Sequence, residues 1–282
     1  MRPSSVAVVG LGAIGGSLAW QSRASGISRV VGYSPRRPEG IQALKAGAIS
    51  VLADSAEEAA RSAELVVLAV PPEATLDLLP SISAALRPGA VLTDVCSIKE
   101  AIVSKAMDCG AGDRFAGSHP LAGTHESGFL SARPDLLRGC IVYVCATSAP
   151  KGYQAASAVS GFWEETLEAS PVLIEAAAHD RQLAWTSHLP QSVAYALARV
   201  LADQGLAGIS FGAGARDTMR LASSNPEMWT EILLLNREAV VPALEQLRAG
   251  VGQLQQLLTA EDRSSLLEYF EVARKFRRGI ER

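Results

Sequence analysis

The stretch Gly117–Gly128, GSHPLAGTHESG, carries two of the four histidines of a 282-residue chain, His119 and His125. Its three interior and terminal glycines and its proline exclude a regular helix, so the two imidazoles belong to a loop or its edges. Two imidazoles can ligate a metal, act as acid and base near neutral pH, or serve only structure. The six-residue spacing is not the i, i+4 of a helical metal site, and no cysteine or carboxylate set completes a ligand shell, so no metal is expected. His119 is the candidate base. His125 reads either as a pocket-lining residue or as a plain exposed loop residue. Ser97 and Lys99, in TDVCSIK, are the neighbouring polar candidates, and a serine near an imidazole can fix its tautomer or share a substrate hydroxyl.

A second motif supplies a place for a cofactor. VAVVGLGAIGGSLA contains Gly10-x-Gly12-x-x-Gly15 between a β-branched run and a helical pattern. In that context the glycines permit a tight turn, a close approach of pyrophosphate to backbone, and close helix packing, while the helix N-terminus faces the anion. Gly10, Gly12, Ala13, Ile14 and Gly15 are therefore cofactor-binding candidates, with Val70 and Pro71 at the end of a neighbouring strand. The second strand ends GYSPRRPE. No carboxylate directly follows Tyr33, and Glu39 lies well into the loop. Ser34, Arg36 and Arg37 suit a ribose 2′-phosphate, so NADP is the preferred reading and NAD the alternative.

The elements that must position these residues follow from periodicity. Apolar runs at Val6–Val9, Arg29–Tyr33, Leu65–Val70, Ala90–Val95 and Phe115–Gly117 alternate with helical patterns at Ile14–Ser25, Ile41–Ala46, Leu76–Leu86 and Glu100–Asp108. Unalternating strands separated by helices predict a parallel sheet covered on both faces. His119 would fall just past the fifth strand. Extended runs at Cys140–Cys145 and Val172–Ile174 flank a helix, Ser157–Leu167, and are assigned to the far edge of the same domain. Beyond residue 176 no convincing strand remains. Glu227–Leu258 reads as one long helix with a stripe at Val240, Leu244, Leu247, Val251, Leu254 and Leu258, intramolecular core by preference and a dimer interface as competitor. The division expected is an α/β Rossmann-type domain over 1–176 and an all-helical domain over 177–282.

Composition narrows the partners. A net charge of −3 gives no electrostatic reason to expect nucleic acid or an anionic membrane. Four cysteines without a CxxC pair suit free thiols in a reducing compartment, and no signal peptide or membrane span is evident, so a cytoplasmic protein is expected.

Six segments in order, GLGAIGGSLA, LAVPP, TDVCSIK, GSHPLAGTHESG, AAAHDRQLAWTSHLPQ and GARDTMRLASSNPEMW, resemble the prephenate/arogenate dehydrogenase family of tyrosine biosynthesis. The resemblance implies a Rossmann-type domain followed by an all-α dimerisation domain, a homodimer, and oxidative decarboxylation of a cyclohexadienyl ring. It implies His119 as the base on the ring hydroxyl and Ser97 as its hydrogen-bonding companion. By the same resemblance Arg220 binds a carboxylate, His188 lines the pocket, Thr124 sits in the closing loop and Lys99 lies on the substrate side. Trp229 would reach the partner subunit's pocket. His179 is expected to order the inter-domain junction with Asp180. His125 stands where some relatives have a glutamate. Gln191, Ala184 and His125 are the positions suspected of choosing prephenate or arogenate. Another two-domain dehydrogenase, of the hydroxyacid or imine reductase type, and a nonenzymatic NADP sensor are the rival readings.

Overall fold

A computed structural model describes residues 2–122, 128–205 and 210–280. The expectations for Thr124 and His125 lie outside the described residues. The chain runs β1 (Ser5–Val9), α1 (Ala13–Ala24), β2 (Arg29–Tyr33), α2 (Arg37–Lys45), β3 (Val51–Leu52), α3 (Ala56–Arg61), β4 (Leu65–Leu68), α4 (Pro72–Ala85), β5 (Val91–Asp94) and α5 (Glu100–Asp108). It continues through β6 (Phe115–Pro120), β7 (Ile141–Ala146), α6 (Gly152–Leu167) and β8 (Ser170–Leu173). The remainder is helical: α7 (Ala176–Leu183), α8 (Leu189–Asp203), α9 (Ala213–Met219), α10 (Pro226–Leu235), α11 (Arg237–Thr259) and α12 (Arg263–Ile280).

One sheet orders the strands β3-β2-β1-β4-β5-β6-β7-β8. β1 and β4 are neighbours although β2 leads away from β1 in the other direction, so the connections reverse there. Such a reversal opens a crevice at the carboxyl ends of the strands. Every residue of β1 and β4 is buried, which is why these strands read as continuous apolar runs. Two apolar layers enclose the sheet, one built on α1 and α6 with Leu18, Phe162 and Trp163, the other on α3, α4 and α5 with Ala60, Leu79 and Ile102.

Five features depart from the sequence expectations. The sheet is not wholly parallel, because β7 pairs antiparallel with β6, setting His119 opposite Tyr143. β6 extends to Pro120, so His119 lies within a strand and not beyond it. A bridging stretch, β3 and α3, escaped notice because β3 is two residues long and α3 is an alanine-rich single turn and a half. The single helix expected over Glu227–Leu258 is broken at Asn236, whose backbone adopts φ −109° and ψ 22°. The stripe on α11 is core only at its start. Val240 and Ala243 are buried, whereas Leu244, Leu247, Val251 and Leu258 are exposed.

The helical region is fastened to the sheet domain by a helix cap supplied from outside. The Asp180 carboxylate on α7 accepts from the backbone N–H groups of Lys99 (2.8 Å) and Glu100 (2.9 Å) at the start of α5. Those donors have no partner inside their own helix, so a carboxylate there satisfies them and complements the helix dipole. No helix among the described residues is long and apolar enough to cross a membrane.

Candidate active site

The glycine loop has the geometry an anion needs. Gly10 sits at φ +100°, and a Cβ there would fall 2.3 Å from the Ala69 carbonyl oxygen. At Gly15 a Cβ would come within 1.9 Å of the Gly10 carbonyl oxygen. Both positions therefore exclude side chains. Gly12 is different. Nothing lies within 4 Å of a Cβ built there, so its backbone faces open space. It caps α1 without any side-chain hydrogen bond, leaving the first-turn N–H groups to a ligand. Val70 borders this loop, since the Gly10 Cβ would also meet it, and Pro71 follows in the chain as the cap of α4.

At the end of β2 a cavity of about 200 Å³ is lined by Tyr33, Ser34, Pro35, Arg37, Leu52, Ala53 and Asp54. Here the folded chain supplies a carboxylate that linear sequence placed too far away. Ser34 Oγ donates to Glu39 Oε2 at 3.1 Å. The guanidinium of Arg36 pairs with Glu39 at 3.3 Å and that of Arg37 with Asp54 at 2.9 Å. Glu39 is brought back because α2 begins at Arg37, so its first turn folds over the strand end.

The second cluster lies on the other side of the switch point. His119, 8 % exposed, shares a hydrogen bond of 2.8 Å between its Nδ1 and His179 Nε2. His179 in turn holds Asp180 Oδ1 at 2.7 Å through its own Nδ1. The tautomers follow from the end of this chain. An ionised carboxylate only accepts, so a neutral His179 carries its proton on Nδ1 and leaves its Nε2 bare. His119 must then donate from Nδ1, which leaves His119 Nε2 as a free lone pair. Burial, reinforced by His179, Lys99 and His188, holds the His119 pKa well below the ordinary 6.5. The ring is a neutral acceptor at physiological pH. Strand alternation sends the adjacent Ser118 to the opposite face, where its Oγ meets Thr93 (2.8 Å) and Trp163 Nε1 (3.0 Å).

Lys99 stands apart from its expectation. It is fully buried, with its ammonium on Asp94 and on the Ser118 carbonyl at 2.8 Å. Asp94 also accepts from the backbone N–H groups of Cys96 (2.9 Å) and Ser118 (3.2 Å). This closed cluster ties β5, the following loop and β6 together, so Lys99 supports the strand that carries His119 instead of reaching for substrate. Ser97 lies partly exposed in the same loop.

His188 is fully buried at the end of a wider, π-type turn, Ala184–His188, which joins α7 to α8. Pro190, two residues further, has no N–H for the carbonyl four residues back, and such wide turns cluster at functional sites. The His188 ring meets Trp229 edge-on at 5.9 Å between centroids. Trp229 thus contacts its own chain's histidine, where a reach toward a partner subunit was expected. Arg220 is exposed at the start of a short turn, Arg220–Ser223, which is strapped to α8 by Gln191 Nε2 on the Leu221 carbonyl at 2.6 Å. Asn236, not singled out from sequence, donates to the Asp180 carbonyl at 2.9 Å and contacts His188 Nδ1 at 2.9 Å. The one sequence signal for these added members is the His179–Asp180 pair itself. Among the described residues no group of three His, Cys, Asp or Glu side chains is placed to hold a metal ion.

A glycine-loop nucleotide fold joined to a helical unit that completes a buried imidazole pair defines a two-domain dinucleotide-dependent dehydrogenase. Comparison sharpens this. The model for the prephenate dehydrogenase nucleotide-binding domain matches residues 18–170, and the model for the prephenate dehydrogenase dimerization domain matches residues 175–272. The chain belongs to the prephenate dehydrogenase family. It is 29 % identical over 283 residues to a cyclohexadienyl dehydrogenase of Zymomonas mobilis, covering 98 % of this chain and 95 % of the relative. The crystal structure of prephenate dehydrogenase from A. aeolicus with hydroxyphenyl propionate and NAD+ superposes with a TM-score of 0.88 at 29 % identity, covering 98 % of both chains. The Synechocystis arogenate dehydrogenase structure superposes at 0.82 and 29 % identity, covering 98 % of this chain and 99 % of that one.

Proposed function

We propose that this protein oxidatively decarboxylates prephenate, arogenate or both, yielding 4-hydroxyphenylpyruvate or tyrosine with reduction of NADP or NAD. The observation that carries the reading is the hydrogen-bonded Asp180–His179–His119 chain, which ends at His119 near the carboxyl end of β6, in the same sheet that carries the glycine loop. A nicotinamide held at the glycine loop would supply the acceptor for the hydride of the ring carbinol carbon. His119 Nε2 takes the hydroxyl proton as the carbon–oxygen double bond forms. His179 and Asp180 keep the ring oriented and stabilise the imidazolium while it exists. When the ring carboxyl leaves as CO2, its bonding electrons aromatise the ring and arrive on the oxygen, which recovers the proton from His119. Ser97 assists at the same hydroxyl, Arg220 anchors a carboxylate and His188 lines the pocket. The same reading divides the chain into 1–176 and 177–282, with the second unit forming a homodimer.

For the cofactor we favour NADP. Arg36 and Arg37 are 76 % and 67 % exposed, and ion pairs that exposed hold their arginines weakly, so both can turn to a 2′-phosphate. The competing choice, NAD, rests on Glu39, which sits against Ser34 and suits a ribose diol. The four cysteines are free thiols, which supports a reducing, cytoplasmic setting.

The test is the initial rate of reduced-nicotinamide appearance with prephenate and arogenate, each against NADP and NAD. Turnover in any combination supports the reading, and the fastest identifies substrate and cofactor. Absence of turnover in all four, from folded protein that binds nucleotide, overturns it.

A further inference from the structure

Asn236 interrupts a helical pattern that would otherwise run on, and its side chain is buried. Its amide nitrogen lies 2.9 Å from the Asp180 backbone carbonyl oxygen and 2.9 Å from His188 Nδ1. A backbone carbonyl can only accept, so the group facing it is the NH2 of Asn236 and not its oxygen. The second proton of that NH2 points to His188 Nδ1, which must be bare to receive it. A neutral imidazole has one ring proton, so here it sits on Nε2. Burial pushes the His188 pKa down to about 4, opposed by Asp180 and aided by His179, and the ring is neutral at pH 7. His188 Nε2 is buried and has no hydrogen-bond partner in the protein, and it is the one side-chain nitrogen of that kind among the described residues. Buried donors nearly always find a partner, which makes this one a candidate for meeting a ligand. The groups facing the ring are Asp180, His179 and His119, with Trp229 against its edge.

We propose that Asn236 is a positioning residue that fixes His188 as its Nε2–H tautomer, a neutral hydrogen-bond donor to a carboxylate oxygen of the substrate and not a second base. This rests on the function proposed above and adds a division of labour to it. One residue, Asp180, sets both imidazoles in opposite senses. Its carboxylate acts through His179 to bare Nε2 of His119. Its carbonyl orients Asn236, which puts the proton on Nε2 of His188. The pocket then presents one acceptor and one donor, which suits an alcohol being oxidised beside an anion being held.

The tautomer is measured directly by long-range 1H–15N correlation on protein labelled with 15N-histidine, the His188 signal being assigned by its loss in His188→Gln. Nε2–H at His188 in the wild type is the expected result. Nδ1–H, or a mixture of both forms, overturns the proposal without reference to turnover. The second arm is Asn236→Asp. A carboxylate at this position demands a proton on His188 Nδ1, so the neutral ring loses its Nε2–H donor, which only the imidazolium, formed at lower pH, regains. The KM for the cyclohexadienyl substrate should rise on the order of tenfold to a hundredfold, as for a lost hydrogen bond to a charged group. A new ionisation should appear in the pH profile of kcat/KM, with kcat little changed. An unchanged KM and pH profile in a folded variant overturns the proposal. If the wild type turns over none of the four substrate and cofactor pairs, the function fails while the tautomer result still stands or falls by itself.

Discussion

At the scale of single residues, protonation state decides what each imidazole can do. His119 is held neutral chiefly by burial, so it keeps its lone pair as the medium turns acid. Activity requires that neutral form. It is lost only as pH falls through the depressed pKa, and the acid limb of log kcat/KM should lie below the ordinary imidazole value of 6.5. A limb at or above that value would show that another group controls the rate. His119→Asn keeps the shape and removes the base, and kcat should drop by about 10²- to 10⁴-fold with nucleotide affinity intact. Glu39→Gln removes the anion beside Ser34, so the NADP:NAD ratio of kcat/KM should rise. No change would place Glu39 away from the ribose. Linkage gives the same histidines a role in stability. His119 and His188 both bind protons less readily folded than unfolded, so stability should decrease as pH falls from 6.5 toward 4, as followed by urea midpoints.

At the scale of elements, the buried Lys99–Asp94 pair and the glycine turn make distinct predictions. Lys99→Met leaves Asp94 fully buried without its cation, and breaking such a pair costs about 3–5 kcal/mol. The loss should appear as a lowered denaturant midpoint, in contrast with a direct substrate contact, which would change KM and leave stability alone. Gly12→Ala meets nothing in the protein itself. It should fold normally while raising the cofactor KM about tenfold or more, because the new methyl occupies the approach of the pyrophosphate. Gly15→Ala drives a Cβ into the Gly10 carbonyl, so it should lower stability as well. Equal thermal loss in both variants would mean that Gly12 is structural.

For the whole molecule, the helical region leaves a large apolar surface. No residue of α12 is buried, and Leu267, Val272, Phe276 and Ile280 are all at least 60 % exposed, together with Val251 and Leu258 on α11 at more than half. Patches of this kind mark protein–protein contacts. A homodimer through this region should be seen by sedimentation, and Phe276→Glu should shift it toward monomer. A wild type that stays monomeric at micromolar concentration would remove the dimer from the proposed function.

Much of this protein is legible in the chain of residues. Strand runs such as Arg29–Tyr33 and helix Glu100–Asp108 are local patterns, because burial on both faces demands continuous apolar side chains and a helix demands its own periodicity. GLGAIGG likewise states its turn, since only glycine fits where backbone meets backbone. What sequence could not state is which distant residues meet. Glu39 looked remote from Ser34 until α2 folded back, Lys99 looked free until the sheet enclosed it, and α11 looked like core until most of its stripe stayed exposed. Asp180 capping α5, and Asn236 reaching Asp180 and His188, depend on contacts across 48 to 81 positions. Hydrogen bonds of that separation leave no periodic trace. The residue types that can do the chemistry are therefore local knowledge, while their protons are assigned only by the tertiary structure, because a tautomer is set by the partner and not by the residue.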